Sequence, residues 1–181
     1  APGRGHYVAH TAAGEAVGVI NVMGRVFMNP LDNPFSVVHD EIAAVRTEAE
    51  TRVVLVDFHA EATSEKLAMG WHLDGEVTAV VGTHTHVQTA DERIFPHGTA
   101  YITDVGMTGP HDSIIGVETS NALSRFVDGM PSRFDTATGN PRINAVIITA
   151  DPATGVACAI ERVSLSSAEL EALTPNPVPM P

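Results

Sequence analysis

The chain has 181 residues, and one domain per roughly 100–200 residues makes a single domain the expectation. Its 22 Asp+Glu against 10 Lys+Arg give a formal charge of −12, which disfavours strong nucleic-acid binding and docking on anionic membranes, since both need clustered Lys and Arg. Hydrophobic residues at 44% and charged residues at 18% exclude disorder over most of the length. No apolar run approaches the roughly 20 residues that span a bilayer. The single cysteine, Cys158, rules out an internal disulfide framework and suits a reducing compartment. With no secretory signal at its start, the chain reads as a soluble, acidic, cytoplasmic globular domain.

Residues 1–13, rich in Gly, Ala and His, read as irregular entry. Residues 16–22 form a nearly continuous apolar run, as in a strand covered on both faces. Asn29-Pro30-Leu31-Asp32-Asn33-Pro34 is turn chemistry. Over residues 36–50 the apolar positions Val38, Ile42, Val45 and Ala49 fall on one face of a helix. Residues 52–58 are the clearest buried strand. Thr63 then offers an N-cap for a short helix over 64–71, with Leu67 and Trp71 one turn apart. Residues 78–82 are the next buried strand, ending in Thr83-His84-Thr85-His86, and a further strand is predicted at 99–103. A helix over 119–127 places Ala122, Leu123, Phe126 and Val127 on one face. Residues 144–149 and 156–163 flank Asp151-Pro152-Ala153-Thr154-Gly155 as a hairpin. In that hairpin Cys158 shares a face with Val156 and Ile160, as a core thiol would. A helix over 166–173 and a proline-rich tail close the chain.

Strands alternating with helices predict an α/β layered fold with a sheet that is at least partly parallel. In such sheets functional groups gather at the carboxyl ends of the strands. His59 follows one such end, and His84 and His86 follow another. On an extended backbone residues i and i+2 point to the same side, so both imidazoles face one centre. Neutral imidazole is the commonest metal ligand, and three converging histidines suit Zn, Mn or Fe. A lone strand-end histidine is more often a hydrogen-bonded surface residue; the convergence is what lifts these three above that reading. Asp57, Glu61, Glu65, Asp91, Glu92, Asp104 and Asp112 lie along the same rim. Asp104 or Asp57 stands as a partner that fixes an imidazole tautomer, and most of the others read as solvated or capping residues. The loop at 106–112 is glycine-rich without matching a phosphate-binding loop. No serine elbow or Cys/His pair points to covalent catalysis.

These segments carry a resemblance. Asp57-Phe58-His59-Ala60-Glu61-Ala62-Thr63-Ser64-Glu65-Lys66 and Val80-Val81-Gly82-Thr83-His84-Thr85-His86-Val87-Gln88-Thr89-Ala90-Asp91 resemble the YmdB-type branch of the calcineurin-like metallophosphoesterases. Ala100-Tyr101-Ile102-Thr103-Asp104-Val105-Gly106-Met107-Thr108-Gly109-Pro110, Asp112-Ser113-Ile114-Ile115-Gly116 and Gly24-Arg25-Val26-Phe27-Met28 extend it. The resemblance implies a layered α/β sandwich, a site for two divalent metal ions (Fe, Mn or Zn), and hydrolysis of small phosphodiesters such as 2′,3′-cyclic nucleotides. It implies His59 and His84 on one metal and His86 on the other. Such a cation pair lowers the pKa of a water and neutralises charge on the phosphoryl oxygens.

The family's opening Asp strand, its Glu-Asn pair with the bridging carboxylate, and its Gly-Asn-His segment with the general acid have no counterpart before Val17. The chain is therefore expected to be the C-terminal portion of such an enzyme, carrying part of the site. It is expected to divide into one domain over 1–165 and a short helix with a Pro-rich tail over 166–181. A sheet edge or apolar face left uncovered predicts a homo-oligomer. Two other readings remain. One is a non-catalytic interaction module with vestigial or single-metal histidines, and the other a mononuclear His₃ hydrolase.

Overall fold

A computed structural model describes residues 4–173. Its first element corrects the reading of residues 1–13 as irregular. The Thr11 N–H donates to the Glu15 carbonyl over 2.9 Å, and Gly14 takes a φ of +86°, a value that favours glycine because it has no Cβ. This turn folds β1 (His6–His10) antiparallel onto β2 (Ala16–Met23). Polar composition hid β1 because an edge strand tolerates His and Tyr on its solvent side.

Helix α1 (Pro34–Ala49) starts at an Asn33 cap whose side chain accepts from the Phe35 N–H, with Pro34 in the first turn where no N–H is needed. It buries Val38, Ile42 and Val45, three of the four apolar positions expected. Strand β3 (Val54–His59) leads into α2 (Thr63–His72), whose cap is Ala62 rather than Thr63 and makes no side-chain bond. Then follow β4 (Ala79–Thr83), β5 (Arg93–Ile94), β6 (Ala100–Ile102), β7 (Gly109–Pro110), α3 (Thr119–Asp128), β8 (Pro141–Ala150), β9 (Ala157–Ser166) and α4 (Ser167–Leu173). The proline-rich tail lies outside the described residues.

The strands form a six-stranded sheet in the order β1-β2-β3-β4-β6-β5 and a three-stranded sheet β7-β8-β9. Strands β2, β3, β4 and β6 run parallel, so their carboxyl ends share one edge. Ile20, Val22, Val54, Val56 and Phe58 are buried with the apolar sides of α1 and α2 in one core. The opposite face is covered at one end, where Ala79, Ala100 and Ala157 pack with Leu55, Ile148 and Ile160. Beside them an apolar cleft of about 530 Å³, lined by Val17, Leu55, Val81 and Val146, stays open between the sheets.

Cys158 is exposed, not a core thiol. In the β8–β9 register Thr149 faces Ala159 and Ala150 faces Ala157, so Cys158 is the extra residue of a β-bulge and drops out of the alternation. On α3 only Ala122 is buried; Leu123, Phe126 and Val127 are exposed. No described helix is long and apolar enough to cross a membrane.

Candidate metal centre

Parallel pairing of β3 with β4 sets His59 opposite Thr83 in register, and the chain turns immediately afterwards. The turn does not keep strand alternation, because His84 and His86 both leave it, with φ of +115° and +66°. Such values are costly for side chains with a Cβ, about 1–3 kcal/mol each, so something must hold the segment. That anchor is Asp104. One of its oxygens accepts from the Thr85 N–H (2.9 Å), the Thr85 hydroxyl (2.7 Å) and the Lys66 ammonium (2.8 Å), and the other from the Gly106 N–H (2.9 Å). Burial pushes the Asp104 carboxyl up, but Lys66 and Thr85 outweigh it and leave it below the usual carboxylate range. Lys66 and Asp104 are 0% and 1% exposed, a fully buried ion pair. Gly82 completes the fit, since a Cβ there would lie 1.8 Å from the Thr103 carbonyl oxygen.

This turn brings His84 against His59 and carries His86 elsewhere. The His59 Nε2 and His84 Nδ1 atoms face each other at 3.0 Å, with the rings crossed at 87°. The other nitrogen of His84 lies 2.7 Å from the Glu61 carboxylate, and that of His59 lies 3.0 Å from the Thr83 hydroxyl. His86 directs Nδ1 to the Ile115 carbonyl at 2.9 Å, an acceptor that leaves its Nε2 bare. Burial first, and the neighbouring His84 second, hold His59 below its ordinary pKa, which favours the neutral ring that ligation requires.

His59 and His84 thus form a facing pair. Among the described residues no three His, Cys, Asp or Glu side chains converge to hold a metal ion. The donor chemistry of the pair still fits one: two imidazole nitrogens meet at one point with their outer nitrogens beside acceptors, the arrangement that orients histidine ligands in metal sites.

Other rim carboxylates have structural work. Glu65, read as solvated or capping, is 8% exposed and accepts from the Arg25 and Val26 N–H groups, holding the segment after β2. Asp91 accepts from Thr89 and Thr103. In the glycine-rich loop the Gly106, Met107, His111 and Asp112 N–H groups are bonded within the protein. Asp57, one of the two tautomer-fixing candidates, does face the site through Thr83. Asp104 touches no imidazole and acts on the backbone of Thr85. Thr83 itself was missed, because its importance lies in a cross-strand register that no local pattern announces.

An α/β sandwich of this topology, with histidines gathered where parallel strands end, places the chain in the phosphatase class of folds, and the comparisons agree. A family model described as YmdB-like protein matches residues 1–163, and the chain belongs to that family. It is 51% identical over 166 residues to a 2′,3′-cyclic-nucleotide 2′-phosphodiesterase of Bacillus subtilis, covering 91% of this chain and 61% of that protein. Among solved structures, a hypothetical protein of Thermus thermophilus superimposes with a TM-score of 0.83 at 43% identity, covering 92% of this chain and 63% of the other. A phosphatase of Mycoplasma pneumoniae superimposes at 0.79 and 34% identity, covering 93% and 60%. The chain therefore spans about three fifths of the length of these relatives.

Proposed function

We propose that this chain takes part in metal-dependent hydrolysis of small phosphodiesters, 2′,3′-cyclic nucleotides among them. His59 and His84 would hold one divalent cation and His86 a second. The observation that carries this reading is the His59 Nε2–His84 Nδ1 pair, facing at 3.0 Å at the carboxyl edge of a parallel sheet, in a chain half identical to a cyclic-nucleotide phosphodiesterase. Divalent cations there supply an activated water nucleophile and neutralise charge on the phosphoryl oxygens. Bound cations also explain how a chain of net charge −12 accepts an anionic substrate. Within the chain, Glu61 and Thr83 orient the imidazoles, and Asp104 with Lys66 holds the turn that presents His84 and His86. Three neutral imidazoles leave the charge of two dications uncompensated, so the reading includes carboxylate ligands beyond these three. The open apolar cleft supports a homo-oligomer, and the single thiol suits a cytoplasmic setting.

The test is metal content and hydrolysis together. With Mn²⁺ or Fe²⁺ supplied, the chain joined to the family segments that furnish the carboxylate ligands is expected to bind close to two equivalents per chain and to hydrolyse 2′,3′-cyclic AMP, with His84→Ala losing metal and activity. One equivalent per chain without turnover supports a non-catalytic, single-metal module instead. Undiminished hydrolysis by His84→Ala removes the role given to that residue.

A further inference from the structure

The metal-facing lone pair of His59 has a source that can be followed across three strands. On the open face of the sheet, the Asn21 side-chain amide of β2 donates to one Asp57 oxygen at 2.8 Å. The Thr83 hydroxyl of β4 donates to the other at 2.8 Å. Asn21 and Asp57 are register partners across β2–β3, and His59 and Thr83 across β3–β4, so the pairing itself brings these four side chains into line. An ionised carboxylate only accepts, and a hydroxyl has one proton. With that proton given to Asp57, Thr83 has only lone pairs for His59, 3.0 Å away. His59 must then donate from Nδ1, leaving Nε2 bare. Glu61, on the outer nitrogen of His84, leaves the His84 Nδ1 bare by the same rule. Two lone pairs consequently meet at 3.0 Å with no proton between them, a contact that a cation relieves.

The exposed pair on α1 and α2 shows the opposite arrangement. His39 and His72 also approach nitrogen to nitrogen, at 2.9 Å. There, however, the His72 Nε2 lies 3.1 Å from the Phe35 carbonyl, and the His39 Nδ1 lies 3.3 Å from Glu76. Glu76 draws the proton of His39 to Nδ1, and a proton on the His72 Nε2 then serves both the His39 Nε2 and the Phe35 carbonyl, so that contact is satisfied without a metal. Proximity of two histidines does not separate the pairs, whereas the placement of their protons does.

We infer that Asp57 and Thr83 are positioning residues which, resting on the metal-binding reading above, set the His59 tautomer and ready Nε2 to take a divalent cation before any metal arrives. Asp57 reaches His59 through Thr83, its two oxygens accepting from Asn21 and from Thr83. Asp57→Asn tests this with almost no change in shape. The new amide keeps its carbonyl toward Asn21 and turns its NH₂ toward Thr83, which frees the hydroxyl to donate to His59 and reverses the chain.

The measurement is long-range ¹H–¹⁵N correlation on the metal-free, histidine-labelled protein, followed by Zn²⁺ titration calorimetry. Wild type and Thr83→Ser are expected to hold His59 with its proton on Nδ1. Asp57→Asn and Thr83→Val are expected to move it to Nε2 and to weaken Zn²⁺ binding about 10–100-fold. A wild-type His59 protonated on Nε2, or a tautomer unchanged in both variants, overturns the relay. If the tautomers shift as expected while no phosphodiester is hydrolysed, the functional reading fails and the relay stands.

Discussion

Asp104 gathers four donors around one carboxylate: two are the N–H and hydroxyl of Thr85, in the turn that carries His84 and His86, and a third is the Gly106 N–H. The fourth is the Lys66 ammonium, buried in the same place. Removing one member of a buried ion pair strands the other, so Asp104→Ala is expected to cost about 3–5 kcal/mol in urea unfolding. The pH dependence has a definite sign. The Asp104 carboxyl lies below its ordinary value near 3.8, so its contribution is complete above that value and is lost as pH falls through the lower folded one. Replacing the carboxylate should therefore flatten the acid limb of the stability curve, a change read by urea midpoints between neutral pH and pH 3. Lys66 is the chain's one lysine, and no local pattern announces that its charge is enclosed. A helical position one turn from the start of α2 reads as solvent-facing until β6 and the residues after it are packed against it.

At the scale of elements, β1 shows how an edge strand is tied down without an apolar run. His6 sits between Glu41 and Glu48 of α1. The hydrogen bond to Glu41, with a smaller contribution from Glu48, raises the His6 pKa above its ordinary 6.5. A raised folded value means that this stabilisation is complete below about pH 6.5 and is lost as pH rises through the folded value. Hydrogen exchange of the β1 amides, corrected for intrinsic rate, is expected to report weaker protection at pH 8.5 than at pH 6. His6→Gln should remove that dependence. The effect is expected to stay under about 1 kcal/mol because water screens a partly exposed pair. Elsewhere α1, β2, β3 and β4 were legible in advance, since each carries its own periodicity. The bulge that expels Cys158 was not, because it is a property of two strands paired with one residue to spare.

The whole molecule is a sheet with one finished face and one unfinished one. Helices α1 and α2 close the first, while the β7-β8-β9 sheet covers only part of the second and leaves the cleft between Leu55, Val81 and Val146. Apolar surface of this kind favours association. Sedimentation velocity is expected to show an apparent mass that rises with protein concentration. Val146→Glu, which puts an unpaired charge in the cleft, should weaken association at least about tenfold while far-ultraviolet circular dichroism stays unchanged. The mass of a single chain at every concentration in the wild type would remove the homo-oligomer from the reading.

By itself the sequence determined the alternation of strands and helices, the family, and the three histidines worth watching. These are matters of local periodicity and of residue types at short spacing. The tertiary structure decided which of those histidines meet and where their protons lie. His84 and His86 are two residues apart, yet left-handed backbone at both sends one to His59 and the other to the Ile115 carbonyl. The direction of the hydrogen bonds at His59 is fixed by Asp57 and Thr83, which stand 26 residues apart in the chain and become neighbours only when β3 and β4 pair. A lone pair belongs to a network, and a network exists only once distant segments have been brought together.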